Sequence, residues 1–141
     1  MDYTQFDFDR DIKTVIQQVK DSGKKYDKVV GIVRGGLIPG VCVSHALNLP
    51  FETLKWSTRD RPESDIFNLT MQSDDRILLV DDICDTGKTL QTILDTFPKS
   101  DIHTAALVHN INLDFTPTYY SFKLDRNLHK EYLDFWWESY K

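Results

Sequence analysis

Short apolar runs rich in β-branched residues alternate along this chain with segments whose apolar positions recur every three or four residues. The apolar runs predict strands over residues 28–33, 51–56, 76–80, 102–108 and 118–124. The helical patterns cover residues 8–22, 37–47 and 86–97. This alternation favours an α/β fold with a mostly parallel, twisted sheet flanked by helices. Ligands bind beyond the carboxyl ends of such strands, so we expect the site in the loops after Val33, Val80 and Val108.

Length and composition favour a single domain over residues 1–141 and exclude several classes of partner. The net charge is −5, from 17 basic and 22 acidic residues, and no Lys/Arg run occurs, so a nucleic-acid partner is not expected. No apolar run approaches the roughly 20 residues of a membrane span. The acidic N-terminus does not resemble a signal peptide. The two cysteines lack a disulfide-framework spacing, which predicts a cytoplasmic protein with reduced thiols.

The loop after the predicted strand 76–80 carries the residues best suited to chemistry, and it reads DDICDTGKT over residues 81–89. Its second half offers hydroxyls and backbone N–H groups at the start of a helix, which together form a phosphate cradle. Gly87 lets the backbone approach an anion closely. Asp81 and Asp82 would repel that phosphate, but they suit the vicinal hydroxyls of a ribose, a hydrated Mg²⁺, or both. A phosphorylated ribose with a metal ion meets all these requirements.

Three other interpretations of this loop are weaker. The phosphate loop of nucleotide triphosphatases needs a glycine five positions before Gly87, where this chain has Asp82. In phospho-receiver domains an acidic pair ends the first strand, whereas two predicted strands precede the pair here. Helix capping explains Asp85 or Thr86 separately, but not three aspartates within five residues.

Residues 78–90, LLVDDICDTGKTL, resemble the phosphoribosylpyrophosphate-binding motif of the type I phosphoribosyltransferases. That motif has four apolar residues, two acidic residues and then Asp-Thr/Ser-Gly-x-Thr. The resemblance implies the fold of that family, and it implies that one loop binds the ribose and the 5′-phosphate. The residues of this loop are Asp81, Asp82, Ile83, Cys84, Asp85, Thr86, Gly87, Lys88 and Thr89. It also implies that Asp82 is the acid linked to Mg²⁺ and that Asp85 is the general acid/base beside the base.

Residues 31–40, GIVRGGLIPG, resemble the pyrophosphate-binding loop of the same family. The resemblance implies that Arg34 and Gly35 present a guanidinium and a backbone amide to the pyrophosphate. It also implies a cis peptide bond in this loop, eased by a neighbouring glycine, as in many members. A plain glycine-rich turn is the alternative.

The polar segment 57–75 shows no period and is long for a connection. By the same resemblance it would act as a lid that excludes water from the site. Either Arg59 or Arg61 would then reach the pyrophosphate, and the sequence does not choose between them.

Residues 132–138, YLDFWWE, resemble the C-terminal hood of the xanthine-guanine and related 6-oxopurine enzymes. The resemblance implies a core over about residues 8–124 and a hood over about 125–141. Tyr132 would stack on the purine, while Leu133 and Asp134 would lie at the edge of the base.

Two positions depart from that pattern. Trp136 replaces the usual proline of the hood. His109 stands where the purine enzymes carry a lysine that contacts the exocyclic oxygen at C6, and a neutral histidine is a weaker donor. The preference among hypoxanthine, xanthine and guanine is therefore open.

The resemblance implies transfer of the 5-phosphoribosyl group to a 6-oxopurine, with Mg²⁺ as the cofactor and pyrophosphate as the second product. Because members of the family are usually oligomers, it also implies a homo-dimer or homo-tetramer. Two alternatives remain open. A pyrimidine or orotate phosphoribosyltransferase is disfavoured by the aromatic hood. A regulator that binds phosphoribosylpyrophosphate without turnover is disfavoured by the presence of Asp85.

Overall fold

The computed structural model describes residues 1–56 and 75–140. Arg59 and Arg61, together with nearly all of the predicted lid, lie outside the described residues. The strands are β1 (Asp2–Tyr3), β2 (Lys28–Val33), β3 (Phe51–Lys55), β4 (Arg76–Cys84), β5 (Asp101–Asn110), β6 (Tyr119–Leu124) and β7 (Asp134–Phe135). The helices are α1 (Gln5–Asp21), α2 (Leu37–Leu47) and α3 (Lys88–Thr96), and a 3₁₀ turn (Trp136–Glu138) follows β7.

Five strands form one sheet in the order β3-β2-β4-β5-β6, and every neighbouring pair is parallel. This confirms the predicted α/β fold with a mostly parallel sheet. The central strands are nearly continuous apolar runs because both faces of a parallel sheet are covered. No helix in the described part of the chain is long and apolar enough to span a membrane.

Alternate residues of the central strands pack into two separate cores, one on each face of the sheet. On one face Val29 and Leu78 pack with residues of α1 and α2. On the other face Val30 and Leu79 pack with Leu90 and its neighbours in α3. The sheet is therefore enclosed by helices on both sides, which leaves its carboxyl edge as the place where loops can build a site.

Two helices begin at different residues from those that the sequence pattern predicts. Helix α1 begins three residues before Phe8, because Thr4 and Asp7 form a reciprocal capping box. Helix α3 begins at Lys88 rather than at residue 86, because Gly87 has a positive φ of 77° and cannot start a helix. Residues 85–87 consequently form a turn between β4 and α3.

Strand β4 is four residues longer than predicted and ends at Cys84 instead of Val80. Its extra residues pair with β5, where Asp81 lies opposite Ala106 and Cys84 opposite His109. The acidic pair therefore belongs to the end of a strand and is not part of a free loop. The two carboxylates remain close together, and Oδ1 of Asp81 accepts from the backbone N–H of Asp82 (2.9 Å).

The N-terminus forms part of the hood, which the sequence pattern did not predict. Strand β1 pairs in parallel with β7, so Tyr3 lies opposite Phe135. The amino group of Met1 donates to the carbonyl of Tyr132 (3.0 Å), and the N–H of Asp134 donates to the carbonyl of Met1 (2.8 Å). The C-terminal segment is thus anchored by the first residues of the chain.

Candidate active site

All strands of the main sheet run the same way, so the residues that follow β2, β4, β5 and β6 meet at one edge. The sequence directed us to the loops after β2, β4 and β5. The structure adds the loop after β6, where Arg126 lies two residues beyond Leu124.

A pocket of about 160 Å³ lies where β4 passes into α3. Seven of its eight lining residues were predicted to bind the ribose and 5′-phosphate. The lining consists of Asp81, Ile83, Cys84, Asp85, Thr86, Gly87, Thr89 and Leu90. Gly87 has no side chain to cap α3, and the N–H of Lys88 donates to the Thr86 hydroxyl (3.3 Å), so a helix start and a hydroxyl lie together where an anion can bind. Lys88 is exposed and lies on the outer side of this turn.

A second, larger cavity of about 590 Å³ joins several of the other predicted residues, but Leu133, Asp134 and His109 do not line it. Its lining combines the loop after β2, the acidic pair and the hood: Arg34, Gly35, Asp82, Tyr132, Trp137, Glu138 and Tyr140. Asp81 lines the smaller pocket while Asp82 lines the larger one, as expected for neighbours in a strand. The two carboxylates therefore connect a phosphate-sized pocket with a cavity that also holds an arginine and an exposed aromatic ring.

The loop after β2 depends on close backbone approach. A Cβ atom on Gly36 would overlap the carbonyl oxygen of Val80, so a larger residue would displace this loop from β4. The loop contains a cis peptide bond, which joins Val33 to Arg34. We expected a cis bond with a glycine on one side, and the first glycine of the loop, Gly35, is one residue further along the chain. Arg34 is exposed and lines the larger cavity.

Burial makes the ionised forms of Asp81 and Asp82 less favourable. Burial raises the pKa of Asp81 well above its usual range, and the nearby Asp82 carboxylate raises it further. Burial also raises the pKa of Asp82, although its Oδ1 accepts from the N–H of Ile83 (2.7 Å). A cation or ribose hydroxyls at this position would compensate for the burial of these carboxylates.

The donor set fits Mg²⁺ when the substrate supplies most of the oxygens. Among the described residues, no group of three or more acidic, histidine or cysteine side chains could hold a metal ion by itself. Mg²⁺ is usually bound through one or two carboxylates together with substrate phosphates and water. Asp82 meets this requirement, because its partly buried carboxylate opens into the same cavity as Arg34.

Asp85 is held by two residues that the sequence did not single out. Arg126 donates from Nε to Oδ1 and from Nη2 to Oδ2 of Asp85, at 2.9 Å each. Asn110 donates from Nδ2 to the backbone carbonyl of Asp85 (2.9 Å). Asn110 ends β5 and Arg126 follows β6. The rule that ligands bind beyond the carboxyl ends of parallel strands could therefore have identified both residues from the sequence.

The hood presents an aromatic ring above the larger cavity. Tyr132 is 66% exposed, and its hydroxyl donates to Oε2 of Glu138 (3.0 Å). The other Glu138 oxygen accepts from the N–H of Phe135 (3.2 Å), and Trp137 stacks on Phe135 with ring centroids 4.8 Å apart. Leu133 is buried against the core. The hood therefore has a fixed base and a free aromatic ring, as stacking on a planar ligand requires.

His109, which the sequence analysis placed at the purine, lies in a buried position. Only 3% of the residue is exposed, its ring packs 4.7 Å from that of Tyr120, and its Nδ1 is buried without a hydrogen-bond partner among the described residues. Burial lowers the pKa of His109, so the ring is neutral at physiological pH. Neither cavity is lined by His109, and its enclosed side chain would contact a base only after a change in structure.

Comparison with known proteins agrees with this geometry. The family model described as phosphoribosyl transferase domain matches residues 4–131. Xanthine-guanine phosphoribosyltransferase of Cereibacter sphaeroides is 31% identical over 88 residues, which cover 54% of this chain and 50% of that protein. The match thus spans about half the length of that curated relative.

Two solved structures share the fold along almost the entire chain. Purine phosphoribosyltransferase from Pyrococcus horikoshii superposes with a TM-score of 0.81 at 27% identity, covering 100% of this chain and 95% of that one. Helicobacter pylori xanthine-guanine-hypoxanthine phosphoribosyltransferase also has a TM-score of 0.81, at 21% identity, covering 98% and 92%. The second likeness concerns the fold alone.

Proposed function

This chain belongs to the phosphoribosyl transferase domain family, and we propose that it transfers the 5-phosphoribosyl group of phosphoribosylpyrophosphate to a 6-oxopurine base. The acceptor would be guanine, xanthine or hypoxanthine, and the products a nucleoside monophosphate and pyrophosphate. One observation carries the proposal: a phosphate-sized pocket and a larger cavity, lined by an arginine and an exposed aromatic ring, meet at Asp81 and Asp82. The names of the Cereibacter and Pyrococcus relatives support a purine as the acceptor.

The 5′-phosphate, the ribose and the pyrophosphate of phosphoribosylpyrophosphate follow one another in the same order as the smaller pocket, the acidic pair and the larger cavity. The 5′-phosphate would bind at the open start of α3, where Thr86 and Thr89 supply hydroxyls. The ribose hydroxyls would face the acidic pair. The pyrophosphate would lie in the larger cavity, where the planar Arg34 side chain can donate to two oxygens at once.

Mg²⁺ would be held by Asp82 and by oxygens of the substrate, and when bound it would offset charge on the departing pyrophosphate. Arg34 would stabilise the same developing charge from the protein side. The segment 57–75, with Arg59 and Arg61, remains our expectation for the lid. A cytoplasmic homo-dimer or homo-tetramer remains our expectation for the assembly.

The base would bind beneath the hood, with its ring stacked on Tyr132 and its edge toward the backbone of Leu133 and Asp134. The N–H of Asp134 already donates to the carbonyl of Met1, so Asp134 would offer other groups to the base. A purine ring nitrogen then forms a bond to C1 of the ribose as the bond from C1 to the pyrophosphate oxygen breaks. The bonding pair leaves with pyrophosphate, and the transition state resembles an oxocarbenium ion. The proton released by the purine passes to the Asp85 carboxylate.

The test is a panel of acceptors. The protein is incubated with phosphoribosylpyrophosphate and Mg²⁺ together with each of guanine, xanthine, hypoxanthine, adenine, uracil and orotate, and nucleotide formation is measured. We expect nucleotides from 6-oxopurines and loss of turnover when Mg²⁺ is chelated. Products from pyrimidines alone would overturn the substrate class. Binding of the sugar diphosphate without any product would favour the regulator.

A further inference from the structure

We propose that Arg126 is a positioning residue that acts through Asp85 and connects the base-binding hood to the acid/base loop. The inference rests on the proposed function, because it concerns the turnover of the same site. Its starting observation is that both oxygens of Asp85 accept from the same guanidinium, at 2.9 Å each.

Two parallel hydrogen bonds fix the plane of a carboxylate as well as its position, which a single contact does not do. The side chains of Arg126 and Asp85 are only 20% and 39% exposed, so water screens this pair less than it screens a surface ion pair. Each carboxylate oxygen can accept a second hydrogen bond. Arg126 therefore orients Asp85 without blocking its use as a proton acceptor.

The contact is part of a closed ring of hydrogen bonds. The backbone N–H of Arg126 donates to Oδ1 of Asn112 (2.8 Å), and the N–H of Asn112 donates to Oδ1 of Asn110 (3.0 Å). Asn110 in turn donates to the carbonyl of Asp85 (2.9 Å), and the Asp85 carboxylate accepts from Arg126. The ring holds both the backbone and the side chain of Asp85 in relation to the ends of β5 and β6.

The remaining guanidinium nitrogen reaches the hood. Nη1 of Arg126 donates to the backbone carbonyls of His129 and Glu131. Glu131 immediately precedes Tyr132, the ring expected to stack on the base. The Arg126 side chain therefore contacts both Asp85, which would receive the proton, and the segment before Tyr132, which would position the purine that releases it.

A double-mutant cycle tests the connection. The variants are Arg126→Met, Arg126→Lys, Asp85→Asn and the two double variants with Asp85→Asn. We expect Arg126→Met to lower kcat by about 10-fold or more, a loss within the range of interaction energies measured between residues in contact. The KM for phosphoribosylpyrophosphate should change by less than about 3-fold. In the Asp85→Asn background the same change should lower kcat by less than about 3-fold. Arg126→Lys should lie between, because an ammonium group cannot make both contacts in one plane.

The matched control is Arg76→Met. Arg76 lies at the opposite end of β4 and also contacts both oxygens of an aspartate, Asp27, at 3.3 and 3.4 Å. Its removal should leave kcat unchanged.

Equal losses of kcat from the Arg126 variants in both backgrounds would show that Arg126 does not act through Asp85. If Arg126→Met fails to fold, the Lys variant and its double variant decide the matter by the same comparison. No nucleotide from any base with the unmodified protein would overturn the proposed function, and with it the role of Arg126. If the unmodified protein forms a nucleotide but the Arg126 variants lose kcat equally in both backgrounds, only the role of Arg126 would be overturned.

Discussion

Gly35 lies so close to Asp82 that a Cβ atom at position 35 would overlap both oxygens of the Asp82 carboxylate. This contact brings the loop after β2 against the end of β4, although 47 residues separate the two positions along the chain. The loop expected to bind pyrophosphate and the expected metal ligand are therefore in direct contact.

We expect Gly35→Ala to raise the KM for phosphoribosylpyrophosphate by roughly 10-fold or more, because the added methyl group would displace the Asp82 carboxylate, and each loss of about 1.4 kcal/mol in binding is tenfold in affinity. Steady-state kinetics measure the effect. Gly23→Ala is the control: a Cβ there has nothing within 4 Å, but φ is +71°. It should lower the free energy of unfolding by about 1 kcal/mol and leave this KM unchanged. Equal KM values for the two variants would contradict the prediction.

Tyr132 offers a way to separate stacking from hydrogen bonding. Tyr132→Ala should raise the KM for the purine by roughly 5- to 150-fold, since stacking on an aromatic ring contributes about 1–3 kcal/mol. Tyr132→Phe keeps the ring and loses only the hydrogen bond to Glu138, so its effect should be smaller. Initial rates at varied purine concentration distinguish the two. If both variants matched the unmodified protein, the purine would not stack on this ring.

Asp81 predicts a specific dependence of stability on pH. Its pKa is raised in the folded protein by burial and by Asp82, whereas an unfolded aspartate titrates near about 3.9. A raised folded-state pKa contributes stability that is complete below the unfolded pKa and is lost as the pH rises through the folded pKa. Asp81→Asn removes this loss, so its free energy of unfolding should exceed that of the unmodified protein at pH 8 and approach it at pH 4.

Urea unfolding at the two pH values measures this difference. Asp9→Asn serves as the control, because Asp9 is exposed and pairs only with Lys13 on the surface of α1 among the described residues. A surface pair of this kind contributes little, so the control should show a small difference at both pH values. A gain for Asp81→Asn that is as large at pH 4 as at pH 8 would mean that the carboxylate charge is not its cause.

Asp85→Asn should slow turnover by roughly 10²-fold or more, the scale of acid/base catalysis, while the affinity for phosphoribosylpyrophosphate stays nearly constant. The amide keeps the size of the side chain but cannot accept a proton at the reacting nitrogen. Asp95→Asn provides a matched change at an exposed position of α3, where the side chain accepts from Gln91 (3.0 Å). Product formation and calorimetric binding are measured on both variants. Turnover unchanged in Asp85→Asn would remove Asp85 from the chemistry.

Local patterns predicted the elements whose ends are set by local residues. Strand β2 and helix α2 have the predicted bounds, because one is a continuous apolar run and the other begins after Gly35 and Gly36. Strand β4 extends beyond its prediction because pairing with β5 continues past Val80, and polar residues hide that pairing in the sequence. Strand β1 was missed because its partner is about 130 residues away.

The sequence by itself determined the segment that we propose binds phosphate, because its residues are consecutive and a strand end followed by a helix start is enough to arrange them. Which groups meet that segment was decided only by the tertiary structure. Arg126 reaches Asp85 across 41 positions, and His109 turns into the sheet instead of toward either cavity. Such contacts depend on how strands from distant parts of the chain lie side by side, and no local pattern contains that information.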